Sequence, residues 1–247
     1  MSHIELTRHD AVQMIRFNRP EKKNAITNQM YHDLAEAIET GEADETVSVH
    51  LLLGHPGAFT AGNDVGDFLM IAQSGSLSGS GVERYLKIQP RINKPIVAAI
   101  DGLAVGIGTT LLFHCDMVFA TPESRFITPF VNLGLVAENA SSLIAPQAMG
   151  YQRAFEMLAM GEPFSAERAR EAGFVNAVLA PELLEAHALE TAQKLAAMPQ
   201  QALRATKRLM KGDIEPVVAA SLREAEIFAE RLSSDEAKQA FMAFMSR

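Results

Sequence analysis

The stretch PIVAAIDGLAVGIGTT, residues 95–110, carries the reading of the fold. Its first half, Pro95 to Ile100, is a short continuous apolar run of strand length and reads as a buried strand. Its second half, Asp101 to Thr110, turns at glycines and leads from that strand into an apolar helix. A strand that passes through a glycine turn into a helix belongs to α/β architecture. Ile96 to Phe113 is also the longest apolar stretch in the chain, but Asp101 and three glycines interrupt it. A membrane-spanning helix needs about 20 apolar residues, so this segment reads as core.

Outward from it, Val12 to Asn18 and Val47 to Leu53 have the β-branched, partly alternating pattern of strands. Thr27 to Thr40 places Met30, Leu34, Ala37 and Ile38 on one helical face, and a shorter helical pattern runs from Asp64 to Ala72. Alternating strands and helices predict an α/β layout with parallel pairing. Gln73 to Gly81 is Ser/Gly-rich without an apolar period and reads as a loop. From about Asn139 the pattern turns mostly helical. Ser165 caps a short helix ending at Gly173, a strand-like FVNAVL follows, and then come three helical segments separated by Pro199 and Gly212. The last, from Ser234, lines up Ala237, Ala240, Phe241 and Phe244. A soft boundary near 195–200 divides a core, residues 1–195, from a helical region, 196–247, whose apolar face must dock on the core or on another subunit.

The chain has 247 residues, 48% hydrophobic and 21% charged, with a net charge of -8. Ordering each residue costs roughly 1 to 2 kcal/mol in backbone entropy, which only a large buried core offsets, so disorder is excluded. The single cysteine, Cys115, builds neither a thiolate metal site nor a disulfide framework and suits a reducing compartment. The opening MSHIELTRHD turns charged at once and does not read as a signal peptide, so the expected location is the cytoplasm. The acidic balance argues against a nucleic-acid surface. No phosphate-binding P-loop, HExxH zinc helix or GxSxG elbow occurs, and the histidines lack metal-like spacing; His114, in an apolar run, reads as packed core.

Three segments remain for chemistry. AFTAGND, residues 58–64, and DGLAVGIGTT, residues 101–110, each pair a strand with a glycine turn and a helix start, where unpaired amides can meet an anion. Two such turns could aim two N–H groups at one oxyanion, although spacing alone equally describes tight turns packing helix on strand. The glycines at 102, 106 and 108 do not form a dinucleotide fingerprint. Glu138, among apolar neighbours, has the setting of a general base with raised pKa, or of an ordinary acid at a helix start.

Taken in order, Asn18-Arg19-Pro20, Asn24-Ala25, AFTAGND, DGLAVGIGTTLL, Cys115-Asp116, Phe126 to Glu138, Phe164-Ser165-Ala166 and Ala172-Gly173-Phe174-Val175 resemble the crotonase, or enoyl-CoA hydratase/isomerase, family over nearly the whole chain. The resemblance implies a ββα spiral core with a C-terminal helical trimerisation region, giving a homotrimer or a hexamer built as a dimer of trimers. It implies a fatty acyl-CoA substrate, with coenzyme A entering only as part of the thioester and no separate cofactor, metal, nucleic acid or membrane partner. Two backbone amides, of Asn63 and Ile107, would hold the thioester enolate. Hydratases of the family carry glutamates where this chain has Thr110 and Phe130. Thr128-Pro129-Phe130 and Glu138 instead match the Δ3,Δ2-enoyl-CoA isomerase branch, which implies Glu138 as the single proton-transferring group, with fatty acid β-oxidation as the setting. For coenzyme A the resemblance points to Lys22, Lys23, Asn24 and Ala25, to Ala61, Gly62, Asp64 and Gly106 at the two turns, and to Arg247 as a stand-in for a C-terminal lysine. Acyl-pocket candidates are Phe68, Leu69, Phe130 and Leu133. Alternatives are a hydratase or other crotonase chemistry, and a non-catalytic acyl-CoA-binding protein.

Overall fold

The structure is a computed structural model that describes residues 3–67, 70 and 77–245. It opens with a hairpin of β1 (Ile4–His9) and β2 (Val12–Phe17), in which Ile4 faces Phe17 across antiparallel strands. β2 then pairs in parallel with β3 (Val49–Leu53), and β5 (Ile96–Ile100), β7 (Met117–Ala120) and β10 (Ala177–Val178) extend the sheet in parallel. A second sheet takes β4 (Ala58–Thr60), β6 (Leu103–Val105) and β8 (Arg125–Ile127) in parallel, with β9 (Phe164–Ser165) antiparallel at its edge. After β2 the chain alternates between the sheets: β3 then β4, β5 then β6, β7 then β8. Each pair is followed by helical structure, a repeating turn of two strands and a helix.

Apolar runs in β3 and β5 have a physical reason. Both strands are buried along their whole length. Leu52, Ile96, Ala98 and Ile100 face one apolar cluster, while Val49, Leu51, Leu53, Val97 and Ala99 face another. Parallel strands covered on both sides lose the alternation of a half-exposed sheet. The first cluster lies between the sheets and α1 (Asn28–Ala43), α2 (Gly81–Ile88), α3 (Ile107–Thr110), α4 (Ser141–Met149), α5 (Tyr151–Leu158) and α6 (Ala166–Ala172). On the far face, α7 (Pro181–Ala196) covers the large sheet with Leu184, Ala188 and Ala192. Each such side chain moved out of water contributes about 1.5–3 kcal/mol when it is as large as Leu.

Beyond α7 come α8 (Gln200–Lys211), α9 (Glu215–Leu232) and α10 (Asp235–Met245). Where three helical segments were expected after β10, there are four, because the stretch between Gly212 and Ser234 is itself a helix. The α9–α10 break falls at Ser233-Ser234, where the Ser234 hydroxyl accepts from Ala237 N at 3.2 Å. Phe228, Leu232, Ala237 and Phe241 join the same cluster as the first strands, so the core runs past residue 195. α8 is tied down by a buried lysine: Lys207 donates to Lys94 O at 2.8 Å and to Asp116 Oδ2 at 2.7 Å. No helix among the described residues is long and apolar enough to cross a membrane.

Candidate active site

Two glycine turns meet at the ends of β4 and β6. Past β4, Gly62 has φ +88°, and a Cβ built on it would lie 2.9 Å from the Val105 carbonyl oxygen. Only glycine fits, so the first turn lies in direct contact with the second. The hydroxyl of Thr60 fixes the approach by donating to Asn24 O at 2.6 Å and accepting from Gly62 N at 3.1 Å. Asn63 pairs with Ile26 as an isolated bridge, in which Ile26 N donates to Gly62 O at 2.8 Å and Asp64 N to Ile26 O at 2.9 Å. That pairing turns the Asn63 amide to the opposite side.

At the second turn Gly106, with φ +56°, donates to Ile127 O at 2.8 Å, and its carbonyl accepts from Thr109 N and Thr110 N at 2.9 and 3.0 Å. α3 therefore starts at Ile107, whose amide has no partner inside the helix. Its side chain is buried in the core, which fixes the amide in place. Among the described residues, neither the Asn63 nor the Ile107 amide donates to another backbone group.

Glu138 follows the short helical turn Val131–Leu133 and is only 7% exposed. Its Oε1 accepts from the hydroxyl of Thr110, which stands at the end of the helix that Ile107 begins. Burial pushes its pKa up to about 8; the Thr110 hydrogen bond opposes that rise and the charge of Glu224 adds to it. Tyr31 from α1 and Tyr85 from α2 lie within electrostatic reach of it, their ring centroids 5.7 Å apart. Burial and the nearby Glu138 hold both phenols well above the usual tyrosine range, so both are neutral. Tyr31 also donates to Asn63 Oδ1 at 2.5 Å, so α1 braces the first turn.

A cavity of about 140 Å³ opens where the turns meet the C-terminal helices. Asn63 and Gly106 form one side, and Phe130, Leu133, Phe228 and Phe241 line the apolar remainder. Neither Ile107 nor Glu138 is on its wall. Phe130 is both core and lining, with its ring edge-on to Phe228 at 6.4 Å. Unpaired amides, and a buried carboxyl of raised pKa bonded to Thr110 of the helix that Ile107 begins, are the kinds of group that hold an oxyanion and remove a proton next to a carbonyl.

The family model described as enoyl-CoA hydratase/isomerase matches residues 7–247. The chain belongs to this family. It is 33% identical to enoyl-CoA delta isomerase 2 of Rattus norvegicus over 251 residues, which is 99% of this chain but 63% of that protein. It is 28% identical to 2,3-dehydroadipyl-CoA hydratase of Escherichia coli (strain K12) over 248 residues, 100% of this chain and 97% of that one. The solved structure of Pseudomonas aeruginosa OdaA superposes with a TM-score of 0.95 at 42% identity, covering 100% of both chains. The two-sheet spiral is thus the crotonase fold of the enoyl-CoA hydratase/isomerase family.

The residues that the family resemblance assigns to coenzyme A are adjacent in space but differ in what they can offer. Lys23 O accepts from Ala61 N at 2.9 Å, which ties the Lys22–Ala25 loop to the first turn. Lys22 and Lys23 are exposed, and neither forms an ion pair among the described residues. Asn24 is fully buried, donating to Ala58 O and Phe59 O at 2.9 and 3.1 Å, so its amide braces the loop from inside. Asp64 is similarly committed: Arg19 binds Oδ2 at 2.7 Å, and Gly66 N binds Oδ1 at 2.9 Å. The Arg19 hydrogen bond holds the Asp64 carboxyl below the usual carboxylate range. Phe68, Leu69 and Arg247 lie outside the described residues, as do residues 73–76 of the Ser/Gly-rich stretch.

Four site residues escaped the sequence reading in whole or part. The sequence marks Thr110 only as the place of a missing glutamate, yet its hydroxyl holds Glu138. Tyr31 neighbours Met30 on the apolar face of α1, and a phenol there needs a polar partner, a usable signal. Glu224 falls in the buried stripe of Val218, Ser221, Ala225 and Phe228, where an acid is out of place. For Tyr85 the eight-residue α2 offered no comparable cue.

Proposed function

We propose that the chain is a Δ3,Δ2-enoyl-CoA isomerase that converts a 3-enoyl-CoA into the trans-2-enoyl-CoA in fatty acid β-oxidation. The observation that carries this reading is the buried carboxyl of Glu138, held by Thr110 at a position where a hydratase of this family would carry one of its two glutamates. A hydratase needs groups that activate water, whereas a double-bond shift needs one group that takes a proton and returns it. Glu138 removes the C2 proton, and charge moves onto the thioester oxygen, which accepts hydrogen bonds from the Asn63 and Ile107 amides. The same carboxyl then protonates C4. Phe130, in place of a second acid, makes that side of the site apolar and limits water at the dienolate.

Coenzyme A enters with the substrate, its phosphates directed to Lys22 and Lys23, and no further cofactor is used. A homotrimer, or a dimer of trimers, in the cytoplasm belongs to the same reading. The test is to offer 3-enoyl-CoA and 2-enoyl-CoA separately to the wild type and to Glu138→Gln. Isomerisation should dominate in the wild type and fall by at least ~10²-fold in the variant, the usual scale for losing a general base. Hydration of 2-enoyl-CoA faster than isomerisation, or an unimpaired Glu138→Gln enzyme, would overturn the reading.

A further inference from the structure

Glu138 is followed by two non-glycine residues in the left-handed region, Asn139 at φ +61° and Ala140 at φ +57°. Such a pair persists only where surrounding contacts impose it. Three sets of contacts do so here. Ser141 N donates to Glu138 O at 3.1 Å, and Leu143 N and Ile144 N both return to Ala140 O at 3.0 Å. His114 Nε2 donates to Asn139 O at 2.9 Å, and burial lowers the histidine pKa to about 4, so its ring is neutral. From α9, Glu224 Oε1 accepts from Ser142 N at 3.1 Å and from the Ser142 hydroxyl.

The last contact is the only one that brings a charge. Glu224 is 8% exposed, and its second oxygen is buried without a hydrogen-bond partner among the described residues. Ser221 Oγ, one turn earlier on α9, and the side-chain polar atoms of Asn139 and Ser141 on the facing turn share that condition. Buried groups of this kind are rarely left unpaired, and ordered water commonly supplies their partners. The carboxyl is therefore set in a hidden polar seam immediately behind the Glu138 turn.

We propose that Glu224 is a positioning residue for Glu138: its grip on Ser142 fixes the left-handed step that aims the Glu138 carboxyl, and its charge stands behind that carboxyl. Other groups facing the pair cannot take this part. Tyr31 and Tyr85 are neutral, Thr110 carries no charge, and His114 is neutral. On the helices packed against α9, Lys87 pairs with Glu83, Arg84 with Glu39 and Lys238 with Asp235, while on α9 itself Arg231 pairs with Glu236. Burial raises the proton affinity of both carboxyls, and at Glu138 the charge of Glu224 adds to that rise.

The inference rests on Glu138 as the proton-transferring group, so its test includes a readout that needs no substrate. Glu138 is titrated in the substrate-free protein by infrared difference spectroscopy, with Glu138→Gln identifying its band, in the wild type, Glu224→Gln and Glu224→Ala. Glu224→Gln keeps an oxygen to accept from Ser142 but removes the charge that adds to the rise at Glu138, so the Glu138 midpoint should move down. The rising limb of kcat/KM on 3-enoyl-CoA should move with it. Glu224→Ala should show the same shift and, at the high-pH plateau, a kcat at least tenfold below that of Glu224→Gln. An unmoved midpoint in Glu224→Gln overturns the proposal, and so do equal plateaus in the two variants. If no protein acts on 3-enoyl-CoA, the isomerase reading fails, while the infrared midpoints still decide whether Glu224 acts on Glu138.

Discussion

A carboxyl that takes a proton from carbon near neutral pH serves best when its affinity for that proton is close to the solution's, and burial gives Glu138 that property. The same burial has a thermodynamic consequence. In the unfolded chain the carboxyl ionises near its ordinary value of 4.5, whereas in the native protein it holds its proton up to about pH 8. Between those values the native state binds more protons than the unfolded one. The contribution of Glu138 to stability is therefore fully present below pH 4.5 and lost as pH rises through about 8. Glu138→Gln copies the protonated form, including an oxygen to accept from Thr110. Its melting temperature should match that of the wild type near pH 5 and exceed it at pH 9, while wild-type kcat/KM climbs through the same interval. A melting difference that is constant from pH 5 to pH 9 would contradict a buried, proton-holding Glu138.

At the scale of elements, the site depends on two turns in contact, and the contact can be separated from the turn conformation. Gly57 and Gly62 have nearly the same φ, +87° and +88°, but a Cβ on Gly57 meets nothing within 4 Å, whereas one on Gly62 meets the Val105 carbonyl at 2.9 Å. Gly57→Ala should lose about 1–2 kcal/mol in urea unfolding from backbone strain and keep its activity. Gly62→Ala should lose at least that much and also drop kcat by tenfold or more, because the two amides are pushed apart. Equal activities would mean that the spacing of the turns is not critical. Both turns were legible in the sequence because glycine at such positions has few other uses, and the doubly buried strands were legible as apolar runs. The edge strand β1 was not, since of Ile4–His9 only Ile4 is buried and no alternation is left to see. Nor was α2, with eight residues beginning at a glycine. The partners of Glu138 were hidden for another reason: Tyr31, Tyr85 and Glu224 arrive from helices far apart in sequence, and which side chains converge is decided by the winding of the whole spiral.

That winding gives the C-terminal helices a second role at the scale of the molecule. α9 and α10 supply Phe228 and Phe241 to the wall of the cavity that Asn63 and Gly106 also line. On the isomerase reading this space of about 140 Å³ receives part of the acyl chain, so the aromatic rings on its wall bear on how long a chain can enter. Phe241, 7% exposed, belongs at once to this wall and to the main apolar cluster. Phe241→Ala should therefore have two linked effects. Removing a buried phenyl ring costs about 3–5 kcal/mol, the lower end applying at a site that borders an existing cavity. On the isomerase reading, the released volume should raise kcat/KM for longer 3-enoyl-CoA chains relative to the shortest one accepted, measured as a ratio so that the general loss of stability cancels. A destabilised variant with an unchanged chain-length ratio would show that α10 supports the fold without shaping the acyl end of the site.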